Sequence, residues 1–175
     1  MADVYAVFGT LIALAIAYPG LLLAWRMIFP DFVSRARSRV AVSAWASLGL
    51  GVAAGLPVVI ASIFLISLPA PFIRLVGAIL AVFALTLASL GAAGLTSVMG
   101  ERLNDLPGGH YSAPGAQVRA AVALELAAVF PFIGWLLVLP LGTLTCFGAG
   151  VYSLFSRKGG EMLLGDPPVA QISEA

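Results

Sequence analysis

The chain has 175 residues, of which 61% are hydrophobic and only 10% are charged, and its formal net charge is +1. A soluble domain has about 25% charged residues, so this composition leaves too little polar surface to cover a globule in water. No basic patch with interleaved aromatic residues occurs, so nucleic acid is not an expected partner. We therefore expect a protein whose bulk is dissolved in the lipid bilayer.

Motifs for cofactors, metals and catalysis are missing from the sequence. The one cysteine, Cys146, lies in an apolar run, which predicts a small buried side chain. With no second cysteine there is no internal disulfide and no CxxC motif, and the one histidine, His110, has no partner for a metal site. Neither a serine–histidine–acid set nor a phosphate loop occurs. The sequence therefore predicts no catalytic residue, no cofactor and no metal, and we expect the protein not to be an enzyme.

The first predicted element in chain order is a membrane-spanning helix over Val4–Trp25, since about 20 mostly apolar residues cross a bilayer. Its start has no basic segment, so we expect a retained helix and not a cleaved signal peptide. The stretch Phe29–Arg39 has apolar residues at helical spacing with arginines between them. This pattern predicts a short helix that lies in the membrane interface with its arginines toward the head groups.

An uncharged run, Val40–Ile73, follows and is longer than one span needs. The triplet Pro69-Ala70-Pro71 near its end predicts a turn, because proline lacks the helix donor and clashes with the preceding turn. We therefore expect a second helix over Trp45–Leu68, with Pro57 inside it, and a third over Ile73–Met99.

A polar loop is predicted over Gly100–Arg119, followed by the apolar run Arg119–Pro140. Two segments that turn at Pro131–Trp135 place all of the nine basic residues except Arg74 on one side, as the positive-inside rule requires. A single crossing would need a span of about 36 residues, far longer than a bilayer core of about 30 Å requires. The sequence thus predicts an all-α bundle of about five segments, with the N-terminus outside and the C-terminus in the cytoplasm.

Within this scheme the fourth segment, Val118–Phe132, either spans with a tilt or re-enters the membrane. Residues 1–158 are expected to form one multi-pass membrane domain, and residues 159–175 a flexible cytoplasmic tail. Tyr18, Trp25 and Trp135 lie near predicted segment ends, which fits anchoring at the membrane interface.

Small residues recur at four-residue spacing and let helix backbones approach closely in lipid. These patterns indicate tight internal packing, which we favour, or a dimer face or a seat for another subunit. The second helix has Ser47, Gly51 and Gly55, the third has Ala84, Ala88, Ala92, Thr96 and Gly100, and the last has Gly142, Thr145, Gly148, Ala149 and Gly150.

Glu125 is the one ionisable residue deep inside a predicted segment. An intramembrane acid is costly and is a functional hypothesis by default: it could carry a proton, bind a cation or hydrogen-bond a quinone-like head group. We favour the alternative that Glu125 fixes helix packing, because Arg119 lies on a different face of the helix and offers no relay partner. The candidate polar or packing site consists of Glu125, Pro131, Gly134, Trp135, Gly51 and Gly55.

Four sequence elements follow one another between Ile28 and Phe155. The first two are the basic stretch IFPDFVSRARSRV and a glycine-rich helix that ends at a proline turn. The last two are the sequence GERL at the end of the next span and a PFIGW hinge before a glycine-rich last helix. This order resembles the multi-pass membrane domain attached to bactofilin-like, polymer-forming bacterial proteins. The resemblance implies a multi-pass fold and its topology, and brings no catalytic residue with it. The soluble polymer-forming domain of those proteins has no counterpart in these residues.

The segments predicted outside the membrane are short, so they offer little surface for an activity that the protein could perform alone. We therefore expect a non-catalytic accessory subunit of a bacterial inner membrane that packs against other membrane subunits, with a respiratory or photosynthetic electron-transfer complex as one host. A homodimer is a further option. The alternative is a small transporter or ion channel that uses Glu125, for which the sequence offers few other polar groups: Thr86, Ser89, Thr143 and Thr145.

Overall fold

The computed structural model describes residues 2–156, which are helical almost throughout and contain no strand. The all-α class expected from the sequence is confirmed. The predicted tail 159–175, together with Arg157 and Lys158, lies outside the described residues. The helices are α1 (Ala2–Ile28), α2 (Pro30–Val42), α3 (Ala44–Ser67), α4 (Pro71–Asn104), α5 (Ala113–Val129) and α6 (Leu139–Phe155), the last preceded by a π-helical turn (Gly134–Val138).

Three helices of the described chain are long and apolar enough to cross a membrane: Ala44–Ser67, Pro71–Asn104 and Gly134–Phe155. A fourth span results if Ala15–Ile28 and Pro30–Val42, which are bent by 109° at their junction, are taken together as one broken span. The described chain therefore has three to four candidate membrane-spanning helices, which supports a membrane protein and is a coarser result than the five segments expected from the sequence.

Proline and serine set most of the helix boundaries. Pro30 and Pro71 stand in the first turns of α2 and α4, where a missing N–H costs nothing. The Ser43 side chain accepts a hydrogen bond from the Ala46 N–H at 3.2 Å and so caps α3. The predicted Pro-Ala-Pro turn is present, because α3 ends at Ser67 and α4 begins at Pro71.

The loop predicted between the third and fourth segments is much shorter than expected. Helix α4 continues to Asn104 and α5 begins at Ala113, so only residues 105–112 connect them. Glu101, Arg102 and Asn104, which suggested a loop, belong to the last turn of α4. Ser112 caps α5 by accepting from the Gly115 N–H at 3.4 Å. A helix of 34 residues is about 51 Å long and therefore extends beyond a bilayer core of about 30 Å.

Glycines bring α6 into backbone contact with α3 and α4. A Cβ at Gly51 would overlap the Leu144 carbonyl, and a Cβ at Gly148 would overlap the Ser47 carbonyl, so α3 and α6 cross at these reciprocal glycines. A Cβ at Gly91 would likewise overlap the Cys146 carbonyl, at the point where α4 crosses α6. The glycines at these crossings therefore serve internal packing, whereas a Cβ at Gly142 of the last pattern would meet nothing in the described chain within 4 Å.

Helix α2 lies across the ends of α4 and α6. Its buried face consists of Val33, Ala36 and Val40, and a Cβ at Gly94 of α4 would lie 2.8 Å from the Ala36 Cβ. Arg37 of α2 forms a salt bridge of 2.8 Å with Glu101 near the end of α4. This end of the bundle, which we call the basic end, carries Arg26, Arg35, Arg37, Arg39, Arg102 and Arg119.

Arg74 lies at the other end of the bundle, beside the turn between α3 and α4. Its side chain donates a 2.7 Å hydrogen bond to the Leu68 carbonyl. The described basic residues other than Arg74 thus lie at one end of the bundle, and the two-sided topology stays a prediction.

Candidate functional site: a cavity beside Glu125

A cavity of about 650 Å³ lies between α1, α4, α5 and α6. Its volume falls within the range of roughly 300–1,000 Å³ that is usual for small-molecule sites. Helix α5 contributes Glu125 to the wall, and α1 contributes Tyr18 and Trp25. The cavity exists because α1 packs on α4 and α5 but leaves a gap toward α6, where Gly142 has no side chain to fill it.

The cavity is buried at one end and open at the other. Ala92 and Cys146 form the floor, and both are almost fully buried. Val82, Leu85 and Leu139 form the rim, and their side chains are largely exposed. Because the rim is apolar, the opening faces the part of the surface that suits lipid, not water.

Three hydroxyl groups in the wall donate to backbone carbonyls of their own helices. Thr86 donates to the Val82 carbonyl at 2.8 Å, and Ser89 donates to the Thr86 carbonyl at 2.8 Å. Thr143 donates to the carbonyls of Leu139 and Pro140 at 2.6 and 3.2 Å. Each hydroxyl proton is already engaged in one of these hydrogen bonds, so toward the cavity the hydroxyl group can only accept a hydrogen bond.

The Glu125 carboxyl is the strongest hydrogen-bonding group in the wall. It is half-buried, and within residues 2–156 no protein group hydrogen-bonds to it. Its assignment to helix packing stays a prediction. Tyr18 faces the same cavity from α1.

A second polar cluster links three helices near the basic end. The Arg26 guanidinium of α1 donates at 2.9 Å to the Gln117 side-chain oxygen, and the Gln117 amide donates at 3.4 Å to the Ala93 carbonyl of α4. Gln117 is only 1% exposed. The cluster ties the start of α5 to the end of α1, which holds one wall of the cavity in place.

We expect Gln117→Leu to destabilise the protein by about 1–3 kcal/mol, because the partly buried Arg26 guanidinium then loses its acceptor. Gln117→Glu retains an acceptor for Arg26 and serves as the matched control. Thermal unfolding in detergent, followed by size-exclusion chromatography, measures the difference. A leucine variant as stable as the glutamate variant would show that the cluster contributes nothing.

The six residues of the sequence-predicted site do not come together. Glu125 alone lines the cavity, whereas Gly51 and Gly55 pack on α6 through Leu144 and Phe147. Near the hinge, Gly134 is buried where a Cβ would overlap the carbonyls of Ala127 and Ala128, while Pro131 and Trp135 are exposed. The candidate site is therefore one cavity residue, two interhelical glycines and a turn.

The hinge itself has a local backbone cause. Phe132 has φ 66°, in the left-handed region that non-glycine residues rarely adopt, and the chain reverses there between α5 and α6. The π-helical turn Gly134–Val138 follows, and Val138 from it lines the cavity. Short π-helical segments frequently occur at functional sites.

The structure places several residues that the sequence singled out. Tyr18 and Trp25 line the cavity, and their role as interfacial anchors stays a prediction. Cys146 is buried and free, as expected. His110 is exposed in the loop, and the described residues hold no cluster of three histidine, cysteine or acidic side chains that could bind a metal.

Sequence reasoning missed Gln117 because it assigned residues 100–119 to a loop. Ser112 followed by Pro114 is a recognisable helix start, and it would have placed Gln117 in the second turn of a helix. Tyr18 was missed as a cavity residue because α1 is apolar on every side, so its pattern does not distinguish an inward face.

Comparisons of this chain with protein-family models, with curated proteins and with solved structures gave no match. The resemblance to the membrane domain of bactofilin-like proteins therefore stays a prediction.

Proposed function

We propose that the chain is a five-segment protein of a bacterial inner membrane that serves as a non-catalytic subunit and packs against a larger membrane assembly through α1. The basic end faces the cytoplasm, and α1, α3, α4, α5 and α6 are the five segments. The positive-inside rule supports this orientation, because Arg74 is the one described basic residue away from the basic end.

The short α5 fits this topology when the turn after it is included. A helix of 17 residues rises about 26 Å, slightly less than a bilayer core of about 30 Å. The turn exposes Phe130, Phe132 and Ile133, followed by Trp135. Aromatic side chains favour the boundary between lipid and water, so the tip of the hairpin lies at the outer interface.

The observation that carries the subunit role is the first half of α1. Every described side chain from Tyr5 to Ala17 is exposed, including Ile16 at 71%. Gly9, Ala13 and Ala17 follow one another at four-residue spacing, on the face of α1 opposite to the side that meets the bundle. Nothing in the described chain lies within 4 Å of a Cβ built at Gly9. Small residues at this spacing are typical of helix–helix interfaces in membranes.

Gentle detergent extraction followed by native gels and mass spectrometry tests this role. We expect the wild-type chain to migrate with other membrane proteins, and Gly9→Leu to release it, because the larger side chain prevents close backbone approach. Gly49→Leu on α3 is the matched control, since a Cβ there also meets nothing within 4 Å. A wild-type chain that migrates at the mass of a monomer or homodimer refutes the role.

A small transporter is the second candidate, because the cavity gathers Glu125 with Thr86, Ser89 and Thr143. These are most of the polar groups that the sequence offered for an ion path, although Thr145 does not line the cavity. Uptake of protons or cations into proteoliposomes tests this candidate. Transport requires measurable flux that Glu125→Gln lowers at least tenfold, and flux unaffected by that change eliminates it.

A further inference from the structure

The cavity beside Glu125 combines an apolar body with a small polar zone. Its floor and rim are apolar, and its hydrogen-bonding groups are grouped on α1, α4, α5 and α6 around the carboxyl of Glu125. Sites for small ligands generally have this composition: mostly hydrophobic, with a few polar groups that fix orientation. We propose that the cavity binds a lipid-soluble molecule with an apolar body and a hydroxyl head group, which donates its hydrogen bond to Glu125. Such binding requires a bilayer around the helices but no partner subunit.

The hydrogen-bonding pattern of the wall selects the head group. The hydroxyls of Thr86, Ser89 and Thr143 already donate to backbone carbonyls and can only accept from a ligand. Glu125 can accept whether or not it carries a proton.

The wall also has two donors, the Tyr18 hydroxyl and the Trp25 indole N–H, and the indole N–H is buried without a partner within residues 2–156. A head group that both donates and accepts, such as an alcohol or a hydroquinone, matches such a wall. A ligand with only ether or ester oxygens could accept from the donors but would leave the acceptors unpaired.

A neutral donor fits better than a cation. Glu125 is the one acid that lines the cavity, and the remainder of the described lining is uncharged. An ammonium group would have to lose its hydration in an apolar site and pair with a carboxylate that has also lost its own. A hydroxyl group satisfies the same acceptors without that cost.

The rim determines the direction of entry. Val82, Leu85 and Leu139 are exposed and apolar. Apolar side chains of α5 and the π-helical turn also line the cavity: Leu124, Ala128 and Val138. A molecule dissolved in the acyl-chain region can enter between these side chains without crossing water. Its head group then reaches Glu125 on α5, and its apolar body remains against the rim.

Trp25 provides a local fluorescent reporter, because it lines the cavity whereas Trp45 and Trp135 are exposed elsewhere. The full chain with Trp45→Phe and Trp135→Phe would be placed in phosphatidylcholine nanodiscs. A nitroxide-labelled octadecanol is the probe, and its methyl ether, which cannot donate a hydrogen bond, is the matched comparison. We expect the alcohol to quench Trp25 saturably and the ether to require about tenfold more probe for the same effect.

Two substitutions test the position of the site. Gly142→Leu places a side chain in the open part of the cavity, where a Cβ meets no atom within 4 Å, and should remove saturable quenching. Gly49→Leu should leave quenching unchanged. Glu125→Leu should weaken binding of the alcohol about tenfold, to the level of the ether, while Glu125→Gln, which keeps an acceptor, should bind within about threefold of wild type.

Equal, linear quenching by alcohol and ether would mean simple partitioning into lipid and would overturn the proposal. This comparison needs none of the cavity variants, so a Gly142→Leu protein that fails to fold does not prevent it. Saturable quenching that persists in a folded Gly142→Leu protein would likewise refute the site. A nitroxide-labelled octadecylamine that binds tenfold more tightly than the alcohol would show a cation site and exclude the hydroxyl head group.

Discussion

Replacing Gly148 with leucine is expected to separate α6 from α3 and to lower the free energy of unfolding by at least about 3 kcal/mol. A Cβ at Gly148 would overlap the Ser47 carbonyl and lie 2.6 Å from the Gly51 backbone nitrogen. Both obstacles are backbone atoms, which no rotamer change can move. The reciprocal contact of Gly51 with the Leu144 carbonyl would be lost in the same displacement.

Gly49→Leu is the control for this effect, because it makes the same change in α3 at a position where nothing lies within 4 Å. Thermal unfolding in detergent, monitored by the monodisperse fraction on size-exclusion chromatography, compares the two variants. If Gly148→Leu is within about 0.5 kcal/mol of Gly49→Leu, the close crossing of α3 and α6 is wrong.

Replacing Gly94 with leucine is expected to release α2 from the bundle. A Cβ at Gly94 would lie 2.8 Å from both the Ala36 Cβ and the Arg37 backbone nitrogen, so α2 must move outward. The salt bridge between Arg37 and Glu101 would break as α2 moves. Because α2 carries three arginines, its release is expected to increase trypsin cleavage within Pro30–Val42 at least tenfold.

Cleavage is measured on the detergent-solubilised protein by mass spectrometry of the fragments. Gly49→Leu again serves as the control and should be cleaved at the wild-type rate. A Gly94→Leu protein that resists trypsin as well as wild type would mean that α2 is held by other contacts, and the docking described above would need revision.

The helices could be predicted from the sequence because a bilayer imposes a length on apolar segments. The turn at Pro69-Ala70-Pro71 follows from proline chemistry, and the short helix α2 with Arg35, Arg37 and Arg39 follows from the helical spacing of its apolar residues. The reciprocal glycines of α3 and α6 could be suspected from their spacing, but which helix they meet could not. The spacing of small residues shows which face of a helix can pack closely, but only the tertiary structure shows which helix packs against that face.

The end of α4 shows why the predicted loop was too long. Glu101, Arg102 and Asn104 are polar but still belong to α4, which at 34 residues is longer than a bilayer core requires. Glu101 then pairs with Arg37 of α2, a contact between residues far apart in sequence. Polarity alone therefore does not mark the end of a helix.

The cavity was largely inaccessible to sequence analysis. Glu125 stood out because an acid in an apolar run is rare, and it does line the cavity. Tyr18, Trp25 and Gly142 were not predicted to line a cavity, because a cavity is the space that four packed helices leave unfilled. The size of that gap depends on how α1 packs against α4 and α5, and no local sequence pattern determines this packing.

The most direct test of the account is the topology of the five segments, because both the orientation and the lateral entry into the cavity depend on it. Single cysteines would replace Ser38, His110 and Pro69, which are all exposed, on a Cys146→Ala background. A membrane-impermeant maleimide would then be applied to intact cells and to inside-out vesicles. We expect positions 38 and 110 to react only from the cytoplasmic side and position 69 only from outside. Labelling of positions 69 and 110 from the same side would contradict the account.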